Sequence, residues 1–107
     1  MKIRKAVLPV AGLGTRFLPL TKVVPKELLP LGDKPIVQHL VEEVIASGIT
    51  DIIFVISRDK ELIRDYFSPA PELEKMLKEK GKRDLLKTIT HLPSLARFTF
   101  LYQEAPR

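Results

Sequence analysis

The sequence predicts an α/β domain on a mostly parallel sheet, and three observations lead there. Residues 6–10 form a short apolar run that stops abruptly at a glycine-bearing segment, the pattern of a buried parallel strand. Residues 52–56 (Ile-Ile-Phe-Val-Ile) form a second run, contiguous and mostly β-branched. Between them Ile36, Val37, Leu40, Val41, Val44 and Ile45 recur at helical spacing. Strand, helix, strand in that order gives a crossover unit with helices expected on both sheet faces, a three-layer arrangement.

The first strand spans Lys5 to Val10 and the turn Ala11 to Gly14. Pro9 dissents, because proline removes a ladder donor. From Thr15 to Pro35 periodicity disappears, and Pro19, Pro25, Pro30 and Pro35 punctuate a charged stretch. Loops of this length are usually functional or disordered. The apolar Phe17, Leu18, Leu20, Leu28, Leu29 and Leu31 favour a structured loop packed over the sheet edge. Pro35 is placed at the first helical position, and Ser47-Gly48 at the stop. The second strand, Asp51 to Ser57, is expected to be buried on both faces. A short helix follows over Lys60 to Phe67 and another over Pro71 to Lys80, broken by Gly81. Leu85, Leu86 and Ile89 suggest another turn or two, and Phe98 to Gln103 alternates as a third strand. His39 and His91 are read as structural, the first on the polar side of its helix, the second in a loop with Pro93.

The 107 residues suffice for one domain, spanning 1–107. With 45% hydrophobic residues the composition is not that of a disordered chain. There is no cysteine, which excludes disulfides and thiolate metal sites. No apolar run is long enough to span a membrane. The N-terminal run leads into a glycine turn rather than a cleavage site, so a cytoplasmic protein is expected. The formal charge of +5 favours anionic partners. The cations do not gather on one helix, which argues against a nucleic-acid module. The chain stops four residues past the third strand, where the next helix of an α/β unit belongs, so the pattern reads as a domain cut short.

The richest chemistry lies directly after the first strand, in Ala11-Gly12-Leu13-Gly14-Thr15-Arg16. Open α/β sheets bind ligands at the carboxyl ends of their strands. Glycines there let backbone N–H groups face an anion, although a plain turn uses the same residues. The dinucleotide fingerprint fails because its third glycine is Phe17, and no Gly-Lys-Ser/Thr triplet exists for a P-loop. Arg16, Lys22 and Lys26, held between prolines, could surround a triphosphate. Nucleotidyl transfer chiefly needs charge placed against phosphate oxygens. A solvated basic loop would show the same cations.

The run Gly12-x-Gly14-Thr15-Arg16-x-Leu18-Pro19-x-Thr21-Lys22-x-x-Pro25-Lys26-Glu27-x-Leu29-Pro30 resembles the signature of bacterial UTP–glucose-1-phosphate uridylyltransferases. Lys34-Pro35, Glu42-Glu43 and Gly48-Ile49 continue it in step. The resemblance covers essentially the whole chain, ending in the strand at Gln103. Relatives that make dTDP-glucose differ around Pro25-Lys26-Glu27 and usually lack the Leu73 to Leu86 segment.

The resemblance implies the nucleotide-diphospho-sugar transferase (Rossmann-like) fold. It also implies a magnesium-dependent reaction of UTP with glucose 1-phosphate, giving UDP-glucose and pyrophosphate. Ala11 and Gly12 would touch the base through backbone groups, and Gly14, Thr15 and Arg16 would handle the phosphates. Lys26 would neutralise charge at the α-phosphate, and Gln103 would read the uracil edge. Glu27 is expected, on structural grounds, to orient Lys26 or its loop. Arg16 and Lys26 are thus the catalytic candidates. The Mg2+ ligand and the sugar-binding residues are expected beyond residue 107, so the chain alone is expected to be inactive. The resemblance also implies a homo-oligomer in which the first strand is central in the complete sheet. Use of dTTP or another nucleotide, and a non-catalytic nucleotide-binding domain, remain alternatives.

Overall fold

The computed structural model describes residues 3–10, 16 and 18–103. Three parallel strands form the main sheet: β1 (Lys5–Val10), β4 (Asp51–Ile56) and β5 (Arg97–Tyr102), in the spatial order β1-β4-β5. Register is continuous across it. Lys5 faces Asp51 and Asp51 faces Arg97 at one end, while Val10 faces Ile56 and Ile56 faces Tyr102 at the other. The three carboxyl ends therefore lie on one edge. Between β1 and β4 the chain makes two single-turn 3-10 helices (Leu20–Lys22 and Lys26–Leu28). A small antiparallel pair, β2 (Pro30–Leu31) and β3 (Lys34–Pro35), and helix α1 (Ile36–Ala46) follow. After β4 come a 3-10 turn (Arg58–Lys60), α2 (Glu61–Tyr66), α3 (Pro71–Glu79), α4 (Arg83–His91) and another 3-10 turn (Leu92–Ser94).

The apolar spacing that predicts α1 also sets its packing. Val37 and Val41, one turn apart, are fully buried, with Val44 and Ile45 beside them. The helix stops where Gly48 takes φ 93°, with its N–H on the Ile45 carbonyl at 2.9 Å. Pro35 sits one place earlier than expected, as the N-cap with extended backbone and a β3 residue. At the head of α3, the Glu74 carboxylate accepts the Ala70 N–H at 3.0 Å.

The core lies on one face of the sheet. Ile52, Phe54 and Ile56 of β4 pack against Val37 and Val41 of α1, Ile63 of α2 and Phe67. Phe54 is its centre, stacked on Phe67 at 5.6 Å and on Phe100 at 5.5 Å, with Phe98 4.8 Å from Phe67. The opposite face carries Val7, Ile53, Val55 and Leu101. Val7 is 58% and Leu101 51% exposed. The expectation that β4 is buried on both faces is corrected: its residues alternate fully and partly buried, because no described helix covers the second face. Of the three layers expected, the described residues supply the sheet and one helical layer. In this chain β4 is the central strand and β1 an edge.

The described part of the Thr15–Pro35 stretch is structured, as expected, by its own single turns, and His39 Nε2–H ties α1 to the β2 carbonyl of Leu31 at 2.6 Å. One loop expectation changes. His91 ends α4 rather than lying in a loop, since that helix runs nine residues.

Candidate nucleotide site

The carboxyl edge of the sheet carries Val10 at the end of β1 and Gln103 just after β5. Val10, the last residue of β1, directly precedes the glycine-bearing segment in sequence. Ala11, Gly12, Gly14 and Thr15 lie outside the described residues, and Arg16 is exposed. Gln103 follows β5 on the same edge. Its backbone N–H is held by the Ile56 carbonyl at 2.9 Å, which extends the β4–β5 ladder by one step and leaves the residue exposed. The base-reading candidate thus stands two strands from Val10, where β1 ends.

Lys26 and Glu27 lie in the single turn Lys26–Leu28. The Leu28 N–H reaches the Pro25 carbonyl at 2.9 Å, and the Leu29 N–H reaches Lys26 O at 3.1 Å. Leu29 is buried and Leu28 packs against the core. Ile36 N–H closes on Leu29 O at 3.0 Å, tying the turn to the start of α1. Prolines and leucines explain the ordering: Pro25 presets the entry, and the two leucines hold the exit by burial.

Glu27 does not pair with Lys26. Its Oε1 accepts from Lys60 Nζ at 3.1 Å, and the two side chains are 13% and 6% exposed. Lys60 ends the 3-10 turn that directly follows β4, so this contact brings the Lys26–Leu28 turn to the carboxyl edge. The Ser57 hydroxyl donates to the Asp59 carboxylate within the same segment. Arg58 and Arg64 lie over the Tyr102 ring at 5.7 and 5.9 Å, adding two cations beside Gln103. Sequence reasoning missed Arg58, Lys60 and Arg64. The available signal was position: Arg58 and Lys60 follow the carboxyl end of a strand, the edge at which open α/β sheets bind ligands.

A second polar cluster braces α1. Lys34 Nζ meets Glu42 Oε1 at 2.9 Å, Gln38 Nε2 donates to Glu42 Oε2 at 3.1 Å, and Tyr66 donates to the Gln38 carbonyl oxygen. The hydrogen bond from Lys34, then that from Gln38, holds the Glu42 carboxyl below the usual carboxylate range. The same bond raises Lys34. Burial, then the Glu42 charge, raises Tyr66. Among the described residues no group of three or more His, Cys, Asp or Glu side chains could hold a metal ion. No helix among the described residues is long and apolar enough to cross a membrane.

Comparison with known proteins bears on the family of this chain. The nucleotidyl transferase family matches residues 5–97. A UTP–glucose-1-phosphate uridylyltransferase of Bacillus subtilis is 49% identical over 106 residues, covering 99% of this chain and 36% of the relative. One from Staphylococcus saprophyticus is 52% identical over 104 residues, covering 97% and 36%. The UTP-bound UGPase of Acinetobacter baumannii superposes with a TM-score of 0.90 at 43% identity, over 98% of this chain and 37% of that one. This chain thus spans little more than a third of the relatives it matches. With the match running from the first residue of β1 to the first of β5, the chain belongs to the nucleotidyl transferase family.

Proposed function

We propose that this chain forms the base- and phosphate-binding half of a uridylyltransferase, which joins UTP to α-D-glucose 1-phosphate and releases pyrophosphate. The observation that carries the proposal is the convergence on one sheet edge of the glycine turn's root at Val10, the Lys26–Glu27 turn and Gln103. The UTP-bound Acinetobacter relative, alike over nearly the whole chain, supports the nucleotide. In the reaction an oxygen of the sugar phosphate attacks the α-phosphorus, the bond from that phosphorus to the α–β bridging oxygen breaks, and pyrophosphate leaves with the electron pair. Lys26 would neutralise charge at the α-phosphate, and Arg16 would draw the β and γ groups as a bidentate fork. The backbone of Ala11, Gly12, Gly14 and Thr15 would hold base and phosphates. The Gln103 amide would accept from uracil N3–H and donate to a ring carbonyl.

Magnesium belongs to this proposal as a counter-ion arriving with the triphosphate. Cytoplasmic location and homo-oligomeric assembly belong to it as well. The 107-residue chain alone is expected to make no UDP-glucose above a protein-free magnesium control. The test is a backbone-amide NMR titration with UTP, dTTP and ATP. Saturable shifts at Gly12, Gly14, Arg16 and Gln103, strongest with UTP, are expected. Equal responses to all three nucleotides would sink the uridine assignment.

A further inference from the structure

We propose that Lys60 is a positioning residue for the nucleotide's phosphates: its buried ammonium turns Glu27 inward and so directs the neighbouring Lys26 outward. The proposal rests on the nucleotide-site reading above and deepens it. Lys60 is 5% exposed, and its partner is 33 residues away in sequence, so two separate loops share one buried ion pair. Such a pair is weak evidence for stability, because desolvating both charges offsets most of their attraction and an apolar pair of similar volume does as well. What it does supply is direction.

In a 3-10 turn successive side chains leave the axis roughly 120° apart. Lys26 and Glu27 therefore cannot both point at Lys60. With Glu27 drawn into the buried contact and the backbone held by Pro25 O, Lys26 O and Leu29, Lys26 is turned away from it and stays partly exposed. Lys60 also cancels a carboxylate that would otherwise sit one residue from the cation meant for the α-phosphate. An uncompensated Glu27 would repel a triphosphate and compete for Lys26. Both effects act on phosphates and neither on the base, which Gln103 would meet from the far strand.

The test compares UTP with uridine, which keeps the base and lacks every phosphate. Both are titrated into the 107-residue chain, following the Gln103 amide by NMR. Lys60→Met is expected to raise the Kd for UTP at least about tenfold and that for uridine less than about twofold, a split that general loosening would not produce. Lys60→Arg should recover UTP binding to within about threefold. If Lys60→Met does not fold, Glu27→Leu/Lys60→Met removes both buried charges together. It should show the same selective loss, since Lys26 is then no longer steered. Equal weakening of UTP and uridine, or undiminished UTP affinity in the folded variant, overturns the proposal while leaving the nucleotide site intact. No saturable UTP binding by the unsubstituted chain overturns the nucleotide reading and this proposal with it.

Discussion

Glu27 Oε1 and Lys60 Nζ meet at 3.1 Å in a nearly dry contact, joining the proline-punctuated loop to the end of the central strand. Removing one partner strands the other charge, which costs about 3–5 kcal/mol, whereas replacing both by apolar residues is near neutral. Glu27→Leu should therefore lower the urea midpoint markedly, and Glu27→Leu/Lys60→Met should restore most of it. Additive losses in equilibrium unfolding would show that the two residues act independently.

Phe54 is fully buried between Phe67 and Phe100. Phe54→Ala is expected to destabilise the chain by about 3–5 kcal/mol, through lost burial and an unfilled cavity. Leu62, on the exposed side of α2, should tolerate alanine within about 0.5 kcal/mol. Comparable losses for the two in denaturant titrations would contradict the one-sided core.

Acid should weaken the brace between β3 and α1. Glu42 is held below its ordinary range in the folded chain, so its contribution is present above its unfolded pKa and is lost as pH falls through the folded one. Lys34 is shifted upward by the same bond, so its contribution is present below its unfolded pKa and fades as pH rises through the folded value. Both groups are partly exposed and the effect is small. Glu42→Gln should flatten the acid limb of melting temperature against pH, and an unchanged limb would assign acid sensitivity elsewhere.

The open sheet face should make the chain self-associate. Val7 and Leu101 stand exposed on it, and among the described residues no strand pairs with the outer edge of β1. Sedimentation velocity is expected to show association that grows with concentration and is suppressed in Val7→Lys/Leu101→Lys. A monodisperse monomer of the unsubstituted chain at high concentration would refute this.

Gln103→Glu tests base reading. A carboxylate still accepts from uracil N3–H but repels the ring carbonyl, and it suits the amino group of cytosine. One good base-edge pair is worth about 1–3 kcal/mol. UTP affinity should fall accordingly while CTP loses less, and parallel losses in calorimetry would place base recognition elsewhere.

Much of the fold was legible along the chain. Strands at residues 5–10 and 51–56, the valine-rich helix between them and the glycine stop at Gly48 follow from local periodicity and backbone preference, which are properties of neighbouring residues. The extent of α4 was underestimated because Lys87, Thr88 and His91 supply few apolar marks. The half-open face of β4 is not legible along the chain either. A run of five apolar residues says that a strand prefers burial, not whether a layer is present to cover each side.

By itself, the sequence determined the order of elements and the cationic character of the loop, both of which depend on residues close in the chain. Only the tertiary structure decided that Glu27 answers Lys60 rather than Lys26, that Arg58 and Arg64 share the Tyr102 ring, and that Gln103 stands on the same edge as the turn's root. The reason is physical. A buried charge takes whichever partner packing brings within reach, and parallel strands bring together residues whose separation along the chain carries no sign of it.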